Sequence, residues 1–173
     1  MRQWGMATTL VSVDEYLRTS YPDGDCEYVD GEIVERNVGE IDHGDLQTRI
    51  VIHLAAHYPK FWAAVEVRVQ VKSRRFRVPD VTLVAGPRPA GKIITAPPHL
   101  VVEVLSPDDR AGAVQEKIDD YLAFGVPYVW VVNPQTGRGY VHTTEAAREA
   151  KDGILRTADP VVELPVSAVW TRP

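Results

Sequence analysis

Apolar and polar residues alternate in some segments of this chain and recur at helical spacing in others. Between residues 42 and 58, Leu46, Ile50, Leu54 and Tyr58 stand at steps of four. That spacing lines one face of a helix. Val114, Ile118, Tyr121 and Leu122 repeat the pattern within 108–124, and Gly125 follows as a left-handed stop. A shorter helix is expected from Ser12, with Glu15 three residues on completing a capping box. In "AAVEVRVQV", Val65, Val67, Val69 and Val71 alternate with Glu66, Arg68 and Gln70, which predicts one half-exposed strand. "FRVPDVTLV", "HLVVEVLS" and "PYVWVVN" read as further strands. Asp30-Gly31 joins two β-prone runs as a hairpin. "PQTGRG" turns the chain back into "YVHTT", and the tail gives one or two short strands and a final helical turn.

The resulting order is helix, hairpin, helix, three strands, helix, strands. It predicts an α/β fold with a central mixed β-sheet flanked by helices and an N-terminal β-hairpin. The strand at 100–105, the helix at 108–124 and the strand at 127–132 form a βαβ unit. With 173 residues, the chain is read as a single domain over 1–173. No segment approaches the roughly 18 apolar residues of a membrane span. "MRQWGMATTL" carries no long apolar run, so no signal peptide is expected and the protein is placed in the cytoplasm. The single cysteine, Cys26, excludes an internal disulfide and a multi-cysteine zinc site.

One residue breaks the pattern. Glu103 stands among Leu100, Val101, Val102, Val104 and Leu105, in a strand that reads as buried on both faces. A carboxylate placed there needs a partner. Asp80 follows Pro79 where the preceding strand is disturbed, because proline removes a ladder donor. If the two strands are neighbours, both carboxylates converge on one point of the sheet. They then require a cation or a proton between them, or separate ion pairs, for instance with Arg68 or Arg77. Mg²⁺ takes one or two carboxylates plus water and phosphate oxygens, which would suit phosphodiester hydrolysis. Lys117, in the helix after Glu103, is placed either to join such a site or to pair on the surface with Glu116, Asp119 or Asp120.

The net charge of −5 does not point to nucleic acid, although a local patch matters more than the sum. The densest basic cluster is "VKSRRFR", with Lys72, Arg74, Arg75 and Arg77. It is either a solvated turn or a contact for a phosphate backbone. His53 and His57 have metal-ligand spacing but no third ligand, and a helix-face pair is the simpler reading. His99 and His142 have no evident partner, and glycine-rich phosphate loops and nucleophile elbows are absent from the sequence.

The segments "RVPDVTLV", "PPHLVVEVLSPDDR" and "KIDDYLAFGVPYVWVVNP" resemble the Uma-type putative restriction endonuclease family of the PD-(D/E)XK nuclease superfamily. "CEYVDGEIVER" and "DHGDLQTRI" fit the same layout, and the resemblance runs from about residue 10 to about residue 170. It implies a restriction-endonuclease-like fold and a Mg²⁺-dependent, or Mn²⁺-dependent, endonuclease acting on duplex DNA. Asp80 and Glu103 would be the metal ligands and Lys117 the catalytic lysine. The motif's lysine is expected two residues after Glu103, where this chain has Leu105, so the role passes to Lys117. Glu27 and His43 fall in elements near the family's pocket and would help to position water or phosphate. Ser106 would contact phosphate or cap the next helix. Cutting both strands of a duplex implies a homodimer. Two other functions fit the same residues. One is a nucleic-acid-binding or interaction module that does not cut, and the other is a hydrolase of smaller phosphate esters.

Overall fold

The computed structural model describes residues 10–22, 25–37 and 40–171. The N-terminal stretch read as lacking a targeting segment lies, through residue 9, outside them. The elements run α1 (Val13–Arg18), β1 (Glu27–Val29), β2 (Glu32–Val34), α2 (Ile41–His57), β3 (Phe61–Val65), β4 (Val69–Lys72), β5 (Arg75–Arg77), β6 (Val81–Ala85), β7 (Leu100–Val104), α3 (Ala111–Phe124), β8 (Tyr128–Asn133), β9 (Arg138–His142), β10 (Ala147–Glu149), β11 (Ile154–Arg156), β12 (Glu163–Pro165) and α4 (Val166–Val169).

The central sheet is mixed, with strand order β10-β9-β8-β7-β6-β3. Its one parallel pair, β7 with β8, is joined through α3, as the βαβ pattern predicts. Every residue of β7 is buried, because helices or the C-terminal segment cover both faces. Alternate residues serve the two sides. Leu100, Val102 and Val104 share a core with Leu46, Ile50 and Leu54 of α2 and with Trp130 and Val132. Val101, Val129 and Val131 meet Ile118 and Tyr121 of α3. Burying each such aliphatic side chain stabilises the fold by about 1.5–3 kcal/mol.

A second, antiparallel sheet has the order β2-β1-β5-β4, so the predicted hairpin is half of a larger unit. Asp30 and Gly31 hold its turn with φ of 52° and 111°, the left-handed values that the Asp-Gly pair accommodates. Tyr16 of α1 stacks on Tyr28, and both meet Phe76. Ser12 caps α1 by accepting from the Glu15 N–H at 3.2 Å. Gly125 ends α3 at φ 105°.

Three expectations are corrected. Five strands, not three, lie between α2 and α3, in part because "FRVPDVTLV" divides into β5 of the second sheet and β6 of the central sheet. "AAVEVRVQV" is not one strand. It divides at Glu66 into β3 of the central sheet and β4 of the second sheet, and Val65 is exposed where the alternation placed it inward. Glu66 makes the break with φ 53°, a conformation that lets the chain leave one sheet for the other. Ser106 does not cap α3. The helix starts after Arg110 without a side-chain cap, and the Ser106 N–H instead donates to Asp109 at 2.7 Å. Among the described residues, no helix is long and apolar enough to cross a membrane.

Candidate active site

The site lies where β6 and β7 run side by side. Their register pairs Val81 with Val102 and Thr82 with Val101. Asp80 directly precedes Val81 and Glu103 directly follows Val102, so the two acids stand at the same end of this strand pair. The Val104 N–H, beside Glu103, donates to Asp80 Oδ2 at 2.7 Å. Pro79 leaves the position before Asp80 without a donor, and the disturbed strand start turns the carboxylate toward β7.

Asp80, Glu103, Lys117, Glu27 and His43 all line one cleft of about 1070 Å³ between the two sheets and α2 and α3. The Asp80 side chain is only 4% exposed. Its Oδ1 accepts from Arg36 at 2.7 Å, and His43 Nε2 lies 3.3 Å from Oδ2. Burial opposes ionisation of Asp80. The hydrogen bond and charge of His43, the Arg36 guanidinium and the Val104 N–H outweigh it, holding the carboxyl below its usual range. In turn, the bond to Asp80 raises the affinity of His43 for its proton.

Glu103 is set differently. Its Oε1 accepts from the Tyr121 hydroxyl at 2.6 Å, and Lys117 Nζ stands 3.4 Å from Oε2. Burial pushes its pKa up; Lys117 opposes the rise, but the charges of Asp80 and Glu27 add to it, and the value reaches about 7. Lys117 sits closer to Glu27 Oε1, at 3.1 Å. Burial favours the neutral amine, but Glu103, Glu27 and Asp80 together hold Lys117 as an ammonium well past its ordinary range.

The helical position explains this placement: Lys117 and Tyr121 are one turn apart on α3 and approach Glu103 together. Lys117 therefore does not make the surface pairs with Glu116, Asp119 or Asp120 that its neighbours suggested. Asp80 and Glu103 do not pair with Arg68 or Arg77 either, since Arg68 pairs with Asp25 and Arg77 with Glu27 and Asp120.

Glu27 is 1% exposed. It accepts from Arg77 at 2.8 Å and from the Val78 N–H at 3.1 Å. Arg77 also grips Asp120 at 2.7 Å, and Asp120 is shared with Arg75 and Lys72. The basic turn is thus not a row of four free cations. Arg77 is 4% exposed and turned inward, which corrects its assignment as a nucleic-acid contact. Arg75 is committed to Asp30, Glu116 and Asp120. Lys72 is exposed but bonds Asp120 at 3.1 Å, and Arg74 is exposed and bonds the Asp30 carbonyl at 3.2 Å. Of the remaining histidines, His53 and His57 stack on each other at 4.0 Å, and His99 bonds Thr157 at 3.1 Å.

Arg36, Tyr121 and Asp120 belong to the site and were not singled out as such from the sequence. Tyr121 had a signal, its place four residues after Lys117. Arg36 had none, because it reaches Asp80 across 44 residues of chain.

Among the described residues no group of three or more His, Cys, Asp or Glu side chains could hold a metal ion. The donor set fits a hard ion of lower protein demand: two carboxylates in a cleft large enough for water and phosphate ligands. Glu103 brings the second carboxylate into the same cleft as Asp80.

Comparison with known proteins agrees with this architecture. The model of the Uma2 family, described as "Putative restriction endonuclease", matches residues 13–170. No curated protein matches the chain. A crystal structure of a putative nuclease of the DUF820 group from Anabaena variabilis is similar, with TM-score 0.76 at 20% identity, covering 92% of this chain and 97% of that one. At that identity the likeness is one of fold.

Proposed function

Because the chain belongs to the Uma2 putative restriction endonuclease family, we propose that it is a Mg²⁺-dependent endonuclease that hydrolyses phosphodiester bonds of DNA, with Mn²⁺ as an alternative ion. The observation that carries this reading is the meeting of Asp80, Glu103 and Lys117 in one cleft. Asp80 and Glu103 would hold the ion. When bound, such an ion supplies Lewis-acid polarisation of a phosphate oxygen and a water of lowered pKa.

The chain's own residues do the rest. Lys117 stays an ammonium, so it serves as a fixed positive charge for the phosphate oxygens in the transition state rather than as a base. Glu27 holds Lys117 in place through the 3.1 Å contact. His43 and the Val104 N–H fix the orientation of Asp80, and Tyr121 fixes that of Glu103. Lys72 and Arg74 remain the exposed cations of the basic turn for a DNA backbone. Duplex cutting would use a homodimer that presents two such clefts.

The test is purified protein with supercoiled plasmid and Mg²⁺ or Mn²⁺. Nicking and linearisation are expected, with loss in Asp80→Ala and Glu103→Gln. Undiminished cutting by Asp80→Ala sinks the assignment. A second reading is a nucleic-acid-binding module that does not cut. It is favoured by the resident cations Arg36 and Lys117 already set against Asp80 and Glu103. DNA binding that is indifferent to divalent ions and to Glu103→Gln would support it. Turnover of nucleotides without polynucleotide cleavage would point instead to a hydrolase of smaller phosphate esters.

A further inference from the structure

Arg36 lies in the same cleft and has no role in the scheme above. A carboxylate offers about four lone-pair directions. On Asp80, Oδ2 takes the Val104 N–H at 2.7 Å and faces His43 at 3.3 Å. Among the described residues Oδ1 has one partner, Arg36, at 2.7 Å. A cation approaching Asp80 must therefore use Oδ1, the oxygen that the guanidinium holds. Arg36 also has a second anchor, because its other terminal nitrogen lies 3.2 Å from Glu66.

Exposure grades along this chain of charges. The Asp80 side chain is 4% exposed, Arg36 17% and Glu66 48%. The guanidinium thus bridges a buried carboxylate to one at the mouth of the cleft. Glu66 holds this post at φ 53°, a conformation costly for a residue with a side chain. Its N–H points to the carbonyls of Pro79 and Asp80, at 3.2 and 3.4 Å. The strand break at Glu66 is therefore tied to the same backbone that carries Asp80.

We propose that Arg36 exchanges places with the divalent ion on Asp80 Oδ1 and, once displaced and still anchored by Glu66, binds a phosphate oxygen of the nucleic acid. This rests on the reading of Asp80 as an ion ligand. An arginine and a divalent ion repel at one oxygen, whereas the fork of arginine can keep one nitrogen on Glu66 and turn the other to a phosphate oxygen. The exchange gives Arg36 two effects of opposite sign: it weakens binding of the ion and strengthens binding of the substrate.

The experiment titrates Mn²⁺ calorimetrically into the wild type, Arg36→Met, Arg36→Lys and Asp80→Ala. It also measures binding of a short duplex DNA by fluorescence anisotropy in Ca²⁺ over a range of salt. Arg36→Met should bind Mn²⁺ several-fold more tightly than the wild type. It should bind DNA about tenfold more weakly, with the slope of log K against log salt reduced by about one. Arg36→Lys keeps the charge and loses the fork, so it should show the same directions at smaller size, and it carries the test if Arg36→Met does not fold. A purely structural role would weaken both kinds of binding. If Asp80→Ala abolishes Mn²⁺ binding and the Arg36 variants bind Mn²⁺ no more tightly than the wild type, the exchange is wrong and the ion site stands. If the wild type binds no Mn²⁺, or Asp80→Ala binds it undiminished, the ion site itself is wrong and the exchange falls with it.

Discussion

Replacing Glu103 by glutamine should change how stability depends on pH, even before any substrate is added. Glu103 is 6% exposed, and its pKa rises from the ordinary 4.5 to about 7 because burial and the charges of Asp80 and Glu27 outweigh Lys117. In the unfolded chain it would titrate near the ordinary value. Between those two points the folded protein binds a proton that the unfolded chain has released. Stability therefore falls as pH rises through this window, and the loss is complete above about pH 8. At about 1.36 kcal/mol per tenfold, the full displacement amounts to about 3 kcal/mol.

Glutamine at this position keeps an acceptor for the Tyr121 hydroxyl and does not titrate, so the difference between the two proteins isolates the effect. Urea unfolding in chelator from pH 4.5 to 8 should show wild type losing about 3 kcal/mol relative to Glu103→Gln. Added Mg²⁺ at pH 8 should recover much of that loss in wild type and little in the variant. Parallel stability curves for the two proteins across this range would show Glu103 to be an ordinary paired carboxylate instead.

Lys117→Met should lose plasmid cleavage by about 10²-fold or more while retaining calorimetric Mn²⁺ binding, since the ammonium acts on the phosphate and not on the ion. Arg77→Met should destabilise the fold by about 3–5 kcal/mol in chemical unfolding, because it removes the buried cation that the carboxylates of Glu27 and Asp120 share. Asp120 resists ionisation through burial, but Arg77, Lys72 and Arg75 hold it below the usual carboxylate range. Its contribution is present at neutral pH and is lost as pH falls below about 4, so Asp120→Asn should flatten the acid limb of the stability profile. Ile50→Ala should cost about 2–5 kcal/mol by the same method, because Ile50 fills the core between α2 and β7.

The elements whose causes are local could be read from the chain. The Asp30-Gly31 hairpin, the four-residue stripe of α2 and the Gly125 stop depend on neighbours a few residues away, and each stands where its pattern puts it. The juxtaposition of Asp80 with Glu103 was also foreseeable, given a disturbed strand start and an acid in an apolar strand that pairs with it. Hidden from the sequence were the long-range pairings. Arg77 and Arg75 look like surface cations until Glu27, Asp30 and Asp120, more than 40 residues away, come to meet them. The break at Glu66 was masked by a valine alternation that continues across two different sheets. Leu105, where a lysine was first expected, faces the apolar side of α3, and Lys117 reaches Glu103 from that helix instead.

The most direct measurement is an anomalous-difference map from crystals soaked in Mn²⁺. One peak is expected about 2.0–2.3 Å from carboxylate oxygens of both Asp80 and Glu103, with Lys117 beside it and Arg36 withdrawn from Asp80. A peak held by neither carboxylate, in crystals whose cleft is open to solvent, would contradict an ion site at Asp80 and Glu103.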